Sequence, residues 1–298
     1  MMPVDAQTDR PNTLSLPAPA KLNRLLRITG RRDDGYHDLQ TLFQLLDLAD
    51  TLHFTRRDDG QIKLSSALEG VAHDDNLVVK AAQRLQTISG TGNGVDIVLD
   101  KRLPLGGGLG GGSSDAATTL VGLDQLWGLG LGLDRLAEIG LELGADVPVF
   151  VRGDSAWAEG IGERLNPVRL DETAFVIVHP GVSVSTAAVF NDPGLTRHSL
   201  AISMRHALDG ATPETVWRND CESSVRALYP EVDRAIAWLS QYGPAMLTGT
   251  GACVFCPLDD ALAEEALRNA PSEWQVFKAR GCNRSPLHRT LKLDRGCT

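Results

Sequence analysis

Pro104-Leu-Gly-Gly-Gly-Leu-Gly-Gly-Gly-Ser-Ser-Asp115 is half glycine, and it runs straight into the apolar-periodic stretch Ala116 to Trp127. Such a loop gives up side chains so that backbone N–H groups can close on a ligand. Ala116, Leu120, Leu123 and Trp127 fall on one face of a helix that stops at Gly128. A helix N-terminus carries unpaired N–H groups and about half a positive charge. Loop and helix together predict a seat for an anion, phosphate first. Upstream, Val95, Ile97 and Leu99 alternate with polar residues, so a half-buried strand over Val95 to Lys101 delivers the chain into the loop.

Composition limits what the anion belongs to. The chain has 298 residues, 42% of them hydrophobic and 22% charged, which is enough for a sizeable core in one or two domains. A net charge of −9 speaks against a nucleic-acid groove, and aromatics at 5% give little stacking surface for single strands. No apolar run approaches the ~18 residues of a membrane span. Met1 to Thr13 reads as a loose polar tail without the apolar centre of a signal peptide. Five scattered cysteines argue against a disulfide framework and for the cytoplasm. Cys253-Val-Phe-Cys256 stands alone in an expected strand, where a zinc site wants a second pair.

The remaining elements read as follows. Leu14 to Leu16 is a short strand, and Lys21 to Ile28 a strand covered on both sides. Tyr36 to Leu46 is extended after a turn, and Thr51 to Thr55 pairs with Gln61 to Leu64 across Asp58-Asp59-Gly60 as a hairpin. Asn76 caps a helix through Leu85, and Asp134 to Leu143 is another, after which Asp146 is placed to cap a short helix. Trp157 to Leu165, Ala174 to Val178, Cys253 to Pro257 and Trp274 to Ala279 read as strands, and helices lie near Ser185, Asn219 to Leu228, Val232 to Tyr242 and Ala261 to Asn269. This order predicts an α+β fold in two domains, 1–165 and 166–298, jointed near residues 160 to 172.

Several phosphate motifs fit the loop only in part. Gly106-x-Gly108-x-x-Gly111 satisfies the dinucleotide pattern, but not after the first strand of a βαβ unit. Ser113 stands where a Walker A loop needs lysine. The companions of a eukaryotic protein kinase, H-R-D and D-F-G, are missing.

The loop resembles the phosphate loop of the GHMP kinases, Pro-x-x-x-Gly-Leu-Gly-Ser-Ser-Ala, with extra glycines. Pro19-Ala-Lys-Leu-Asn23 resembles that family's N-terminal motif, and Leu247-Thr-Gly-Thr-Gly-Ala-Cys253 its C-terminal glycine motif. Gly30-Arg-Arg-Asp-Asp-Gly-Tyr-His37, Leu143-Gly-Ala-Asp-Val-Pro-Val-Phe150, Ala158-Glu-Gly-Ile-Gly-Glu163 and Ser285-Pro-Leu-His288 resemble the branch that phosphorylates a cytidine diphosphate-linked methylerythritol. The resemblance covers about Leu16 to Leu291.

It implies a two-domain GHMP kinase fold, the first domain like ribosomal protein S5 domain 2 and the second ferredoxin-like. By the same resemblance, Pro104, Leu105, Gly106, Gly107, Gly108, Leu109, Gly110, Gly111, Gly112, Ser113 and Ser114 wrap ATP, with a serine, Ser114 foremost, reaching Mg2+. Asp146 is the catalytic base and Lys21 the catalytic lysine beside it. Tyr36 and Phe190 sandwich the cytosine, His37 bonds the base edge, Asn23 and Thr186 line the substrate side, and Gly249, Thr250 and Gly251 lie near the phosphates. The partner is a small molecule, not nucleic acid or membrane, and a monomer or weak homodimer is expected. Two positions depart from the pattern. Asp115, where asparagine is common, is read as compensating the helix dipole, and Arg24 as lying on a partly exposed face. The rival readings are a sister kinase for homoserine or mevalonate, a non-catalytic nucleotide-binding protein and, further off, a dinucleotide oxidoreductase.

Overall fold

A computed structural model describes residues 11–66, 72–208 and 217–293. The expected tail lies outside these up to residue 10, and Thr13 already belongs to the first strand. That strand, β1 (Thr13–Arg31), runs antiparallel to β2 (His37–Arg57) along nearly its full length. Each of the two is longer than the sequence suggested. Pro17 and Pro19 do not break β1, because at that end of the strand β2 is its one strand partner and proline needs none on the other side. Asp47 and Asp50 do not break β2, because Asp50 is buried and fully bonded. Register shifts between Pro19 and Lys21 and between Asn23 and Leu25 re-aim the side chains between them. Ala18 through Ile28 is buried throughout, as a strand covered on both faces requires.

β3 (Ile62–Leu64), α1 (Leu77–Ser89) and β4 (Gly94–Asp100) follow. The expected hairpin is not formed. β4 takes the edge of β2, and β3 lies beyond it, parallel to β4, with α1 as the crossover. Asn76 caps α1 as its sequence predicts, accepting from Val78 N. Next come α2 (Gly111–Trp127), α3 (Gly132–Leu143) and α4 (Val147–Arg152). The single strand expected to start at Trp157 is a hairpin, β5 (Ala156–Glu159) and β6 (Arg164–Pro167), turned where Gly160 and Gly162 take positive φ.

The second half holds β7 (Ala174–His179), α5 (Thr186–Asn191), α6 (Met204–Leu208), α7 (Glu222–Leu228), α8 (Pro230–Leu239), β8 (Met246–Leu247), β9 (Val254–Pro257), α9 (Asp260–Asn269), β10 (Gln275–Cys282) and α10 (Pro286–Leu291). Asn219 and Asp220 lie ahead of the helix expected to hold them, bonded along β1 at Leu26. β10 pairs β7 over most of its length and then β2 at Gly281 and Cys282, stitching the halves into one sheet. One core packs α1, α2 and α4 on the first half, and a second packs α7, α8 and α9 on the other. A third cluster between them joins Leu22, Leu46 and Leu103 to Phe175 and Phe255. Arg24 is buried here too, against the rings of Phe175 and Trp217 at 4.9 and 4.2 Å, which corrects the exposed face expected for it.

α10 returns to the first core, where Leu287 is buried and His288 Nε2 lies 2.8 Å from Val151 O, in the last turn of α4. Burial, reinforced by Arg284, lowers the His288 pKa to about 4. A folded-state pKa below the ordinary value means stability that is present above about pH 6.5 and lost as pH falls towards 4. His288→Gln should therefore flatten the loss of stability between pH 7 and 4.5 by about 2–3 kcal/mol. Urea unfolding at the two pH values measures this, and an unchanged slope refutes it.

Candidate active site

The glycine loop is hung from both ends by leucine. Leu103 and Leu109 are buried in the cluster between the two halves, whereas Leu105 is exposed. Between them Gly106, Gly108 and Gly110 take positive φ of 65°, 74° and 73°, a conformation that L side chains disfavour. Gly110 is the N-cap of α2, so the helix opens on a residue without a side chain and its first N–H groups face the space above. Ser113 lies on that space. Ser114 does not: it is fully buried and its Oγ has no hydrogen-bond partner.

The C-terminal glycine motif clamps the loop backbone to backbone. Ala252 N donates to Gly106 O at 3.1 Å and Cys253 N to Gly107 O at 2.9 Å. Thr248, which the sequence reading passed over, bridges two motifs. Its Oγ1 accepts from Asn23 N at 3.0 Å and lies 3.3 Å from Gly108 O. From β1, Lys21 N donates to Leu109 O, and Lys21 Nζ donates to Gly108 O at 3.0 Å and Asn23 Oδ1 at 2.5 Å.

Asp146 precedes α4 but does not cap it, since its side chain makes no cap hydrogen bond. The expected cap is replaced by an ion pair, Asp146 Oδ2 to Lys21 Nζ at 3.4 Å. Lys21 is buried, whereas the Asp146 side chain is 34% exposed and open to the cavity. The pair can take a proton from a group arriving opposite the helix N-terminus while keeping a positive charge beside it.

Across the cavity Phe190 stacks on His37, with centroids 4.9 Å apart and planes at 23°. Burial, with Arg197 and Arg31 nearby, lowers the His37 pKa, which favours the uncharged ring, and its buried Nε2 has no hydrogen-bond partner. Tyr36 stands exposed on the same wall, and Thr186 Oγ1 lies 2.9 Å from Thr250 Oγ1. Every site residue expected from sequence except Ser114 lines this one cavity of about 650 Å3: Lys21, Asn23, Tyr36, His37, Pro104 to Ser113, Asp146, Thr186, Phe190 and Gly249 to Gly251.

Asp115 does not act as a free dipole counter-charge. It is buried and bonded to Lys101 Nζ at 2.6 Å, and Lys101 in turn bonds Asp50 at 2.6 Å. Burial and Asp50 push the Asp115 pKa up to about 7 against the pull of Lys101. Lys101 and Asp50 were not singled out from sequence, although a lysine closing the strand before the loop and an aspartate opening the helix after it were both legible. Asn219 was missed as well. Its buried Nδ2 donates to Leu247 O and Gly249 O, holding the ends of the second glycine turn.

Residues 76–154 match the GHMP kinases N terminal domain and residues 205–276 the GHMP kinases C terminal domain. A 4-diphosphocytidyl-2-C-methyl-D-erythritol kinase of Chromohalobacter salexigens is 65% identical over 282 residues, covering 94% of this chain and 95% of that one. One from Pseudomonas aeruginosa is 56% identical over 280 residues, covering 94% and 98%. A crystal structure of 4-(cytidine 5'-diphospho)-2C-methyl-D-erythritol kinase superposes with a TM-score of 0.77 at 32% identity, over 90% of this chain and 99% of that one. A mevalonate kinase structure at 16% identity and a TM-score of 0.67 shares the fold. Likeness of sequence over nearly the full chain and likeness of fold agree, and the chain belongs to the 4-diphosphocytidyl-2-C-methyl-D-erythritol kinases of the GHMP kinase family.

Proposed function

We propose that this kinase transfers the γ-phosphoryl group of ATP to the 2-hydroxyl of 4-diphosphocytidyl-2-C-methyl-D-erythritol. The observation that carries the reading is a single cavity shared by the glycine loop, the Lys21–Asp146 pair and the aromatic wall of Tyr36, His37 and Phe190. ATP would lie with its phosphates along Pro104 to Ser113 and the N-terminus of α2, with Gly249 to Gly251 on the other side. The acceptor hydroxyl would approach Asp146, whose carboxylate receives its proton as the oxygen bonds to the γ-phosphorus. The bond from that phosphorus to the bridging oxygen breaks, and ADP leaves. Lys21 offsets the charge spread over the moving phosphoryl oxygens. The flat cytosine would lie against the aromatic wall, and the unpartnered His37 Nε2, buried as the ring stacks on Phe190, would meet a base edge once the ring turns towards the cavity.

Mg2+ suits this site as an ion carried largely by the phosphates, since it keeps waters and takes few protein ligands. The Ser113 hydroxyl on the cavity wall fits it better than buried Ser114, and the ion would neutralise charge on the β- and γ-phosphates. The division into 1–165 and 166–298 is proposed as a nucleotide half and a half adding substrate contacts, with β10 and α10 returning to the first. A cytoplasmic monomer or weak homodimer goes with this reading.

ADP release tests it directly. Turnover is expected with the cytidyl substrate and to be lower by at least about 10²-fold in kcat/KM with mevalonate or homoserine, because these leave the base-binding wall empty. No turnover with the cytidyl substrate, or equal turnover with mevalonate, would reject the reading.

A further inference from the structure

Lys101 and Asp115 are 14 residues apart, and between them lie Arg102, Leu103, the glycine loop and the first turn of α2. Their ion pair therefore closes a ring at the neck of the loop. The ring is fixed to the sheet by Asp50, whose Oδ2 bonds Lys101 Nζ and whose Oδ1 accepts from Arg102 N at 2.6 Å and Leu103 N at 2.7 Å. The side chains are 14% exposed for Lys101, 0% for Asp50 and 3% for Asp115.

Lys101 reaches the wall of the same cavity, but two features set this cluster apart from a phosphate ligand. The ammonium already has two carboxylates, so the three groups together add no positive charge to an anion seat. Burying them also costs desolvation that well-packed apolar residues would avoid, so raw stability is a poor reason for having them. What they do supply is geometry. The ammonium presses on the first turn of the helix, where a Cβ at Gly111 would come within 3.1 Å of Nζ. With the neck closed, a loop of mostly glycine, which has the most conformational freedom to lose, keeps one shape.

We propose that the Lys101–Asp115 pair, anchored on Asp50, is a clasp that holds the glycine loop in its nucleotide-binding shape, so that these three are positioning residues for ATP. The proposal rests on the nucleotide reading above. A loop that is competent only part of the time binds with an affinity reduced by that fraction. If opening the clasp leaves the loop competent about a tenth of the time, nucleotide binding weakens about tenfold.

Calorimetric titration with ADP tests the clasp without reference to the acceptor. Lys101→Met and Asp115→Ala are each expected to weaken ADP about tenfold, and the double variant no more than either alone, since a clasp opens only once. In steady-state assays KM for ATP should rise by the same factor while KM for the alcohol moves by less than about twofold. Lys101→Arg, which keeps the charge, should recover most of the affinity. Unchanged ADP binding in Lys101→Met or in Asp115→Ala, additive losses in the double variant, or equal rises in both KM values would each overturn the clasp. Failure of the wild-type protein to bind ADP would instead reject the nucleotide reading. Should Lys101→Met not fold, Asp115→Leu decides: it keeps the volume and removes the acceptor that Lys101 bonds, and undiminished ADP affinity in that folded variant overturns the proposal.

Discussion

Asp146→Asn is expected to lower kcat by about 10²–10⁴-fold while leaving ADP affinity within about twofold of wild type. The amide has the size of the carboxylate and can still lie beside Lys21, but it cannot accept the proton of the acceptor alcohol. The carboxylate's other tie is its ion pair with Lys21, which is partly screened because the Asp146 side chain is 34% exposed. Lys21 keeps its bonds to Asn23 Oδ1 and Gly108 O, and α4 has no cap hydrogen bond from Asp146 to lose. Stability should therefore fall by no more than about 1 kcal/mol, which separates this lesion from a folding defect. Rapid-quench measurement of ADP formation in a single turnover gives the chemical rate directly. A variant retaining more than about a tenth of that rate would show that the proton goes elsewhere.

How much of this was legible in the sequence depends on whether a residue's role is local. The glycine loop, the helix behind it and the Asn76 cap were legible because spacing and side-chain chemistry within a few residues determine them. The three motifs that converge on Lys21 were legible as patterns, but their bonding through Thr248 was not, because that threonine lies 225 residues from Asn23. Local signals also misled. Asp58-Asp59-Gly60 is a good hairpin turn, and Asp59 does turn the chain there by accepting from Gln61 N. Strand pairing is a long-range choice, however, and β4 won the edge of β2 along seven residues. Asp115 looked like dipole compensation because its partner Lys101 lies across the loop, and a buried ion pair has no periodic signature. Ser114 and Ser113 are adjacent and chemically identical, and only the phase of α2 separates the one facing the cavity from the one facing the core.

Gly108→Ala should be the most damaging single methyl in the loop. At φ +74° an L residue is strained, and the new Cβ would run into Thr248 O and lie 3.0 Å from Gly251 O. These neighbours are backbone, so no rotamer change relieves the clash, and the loop or the second glycine turn has to move. The two motifs are held together by the bonds from Ala252 N and Cys253 N to Gly106 O and Gly107 O, so moving one displaces the other. Gly108 O is also the acceptor for Lys21 Nζ, so the shift reaches the Lys21–Asp146 pair. Strain and overpacking together should cost about 3 kcal/mol of stability. A displacement of about 1 Å at the phosphates and Lys21 should lower kcat/KM for ATP by about 10²-fold or more. Gly112→Ala is the contrast. Its φ is not positive, its Cβ would meet only Leu77 Cδ1 at an ordinary 3.6 Å, and it sits inside α2, where alanine favours the helix by about 1 kcal/mol. Thermal unfolding should therefore move down for Gly108→Ala and level or up for Gly112→Ala. Equal midpoints for the two would mean that the close approach of the glycine motifs is not what fixes the loop.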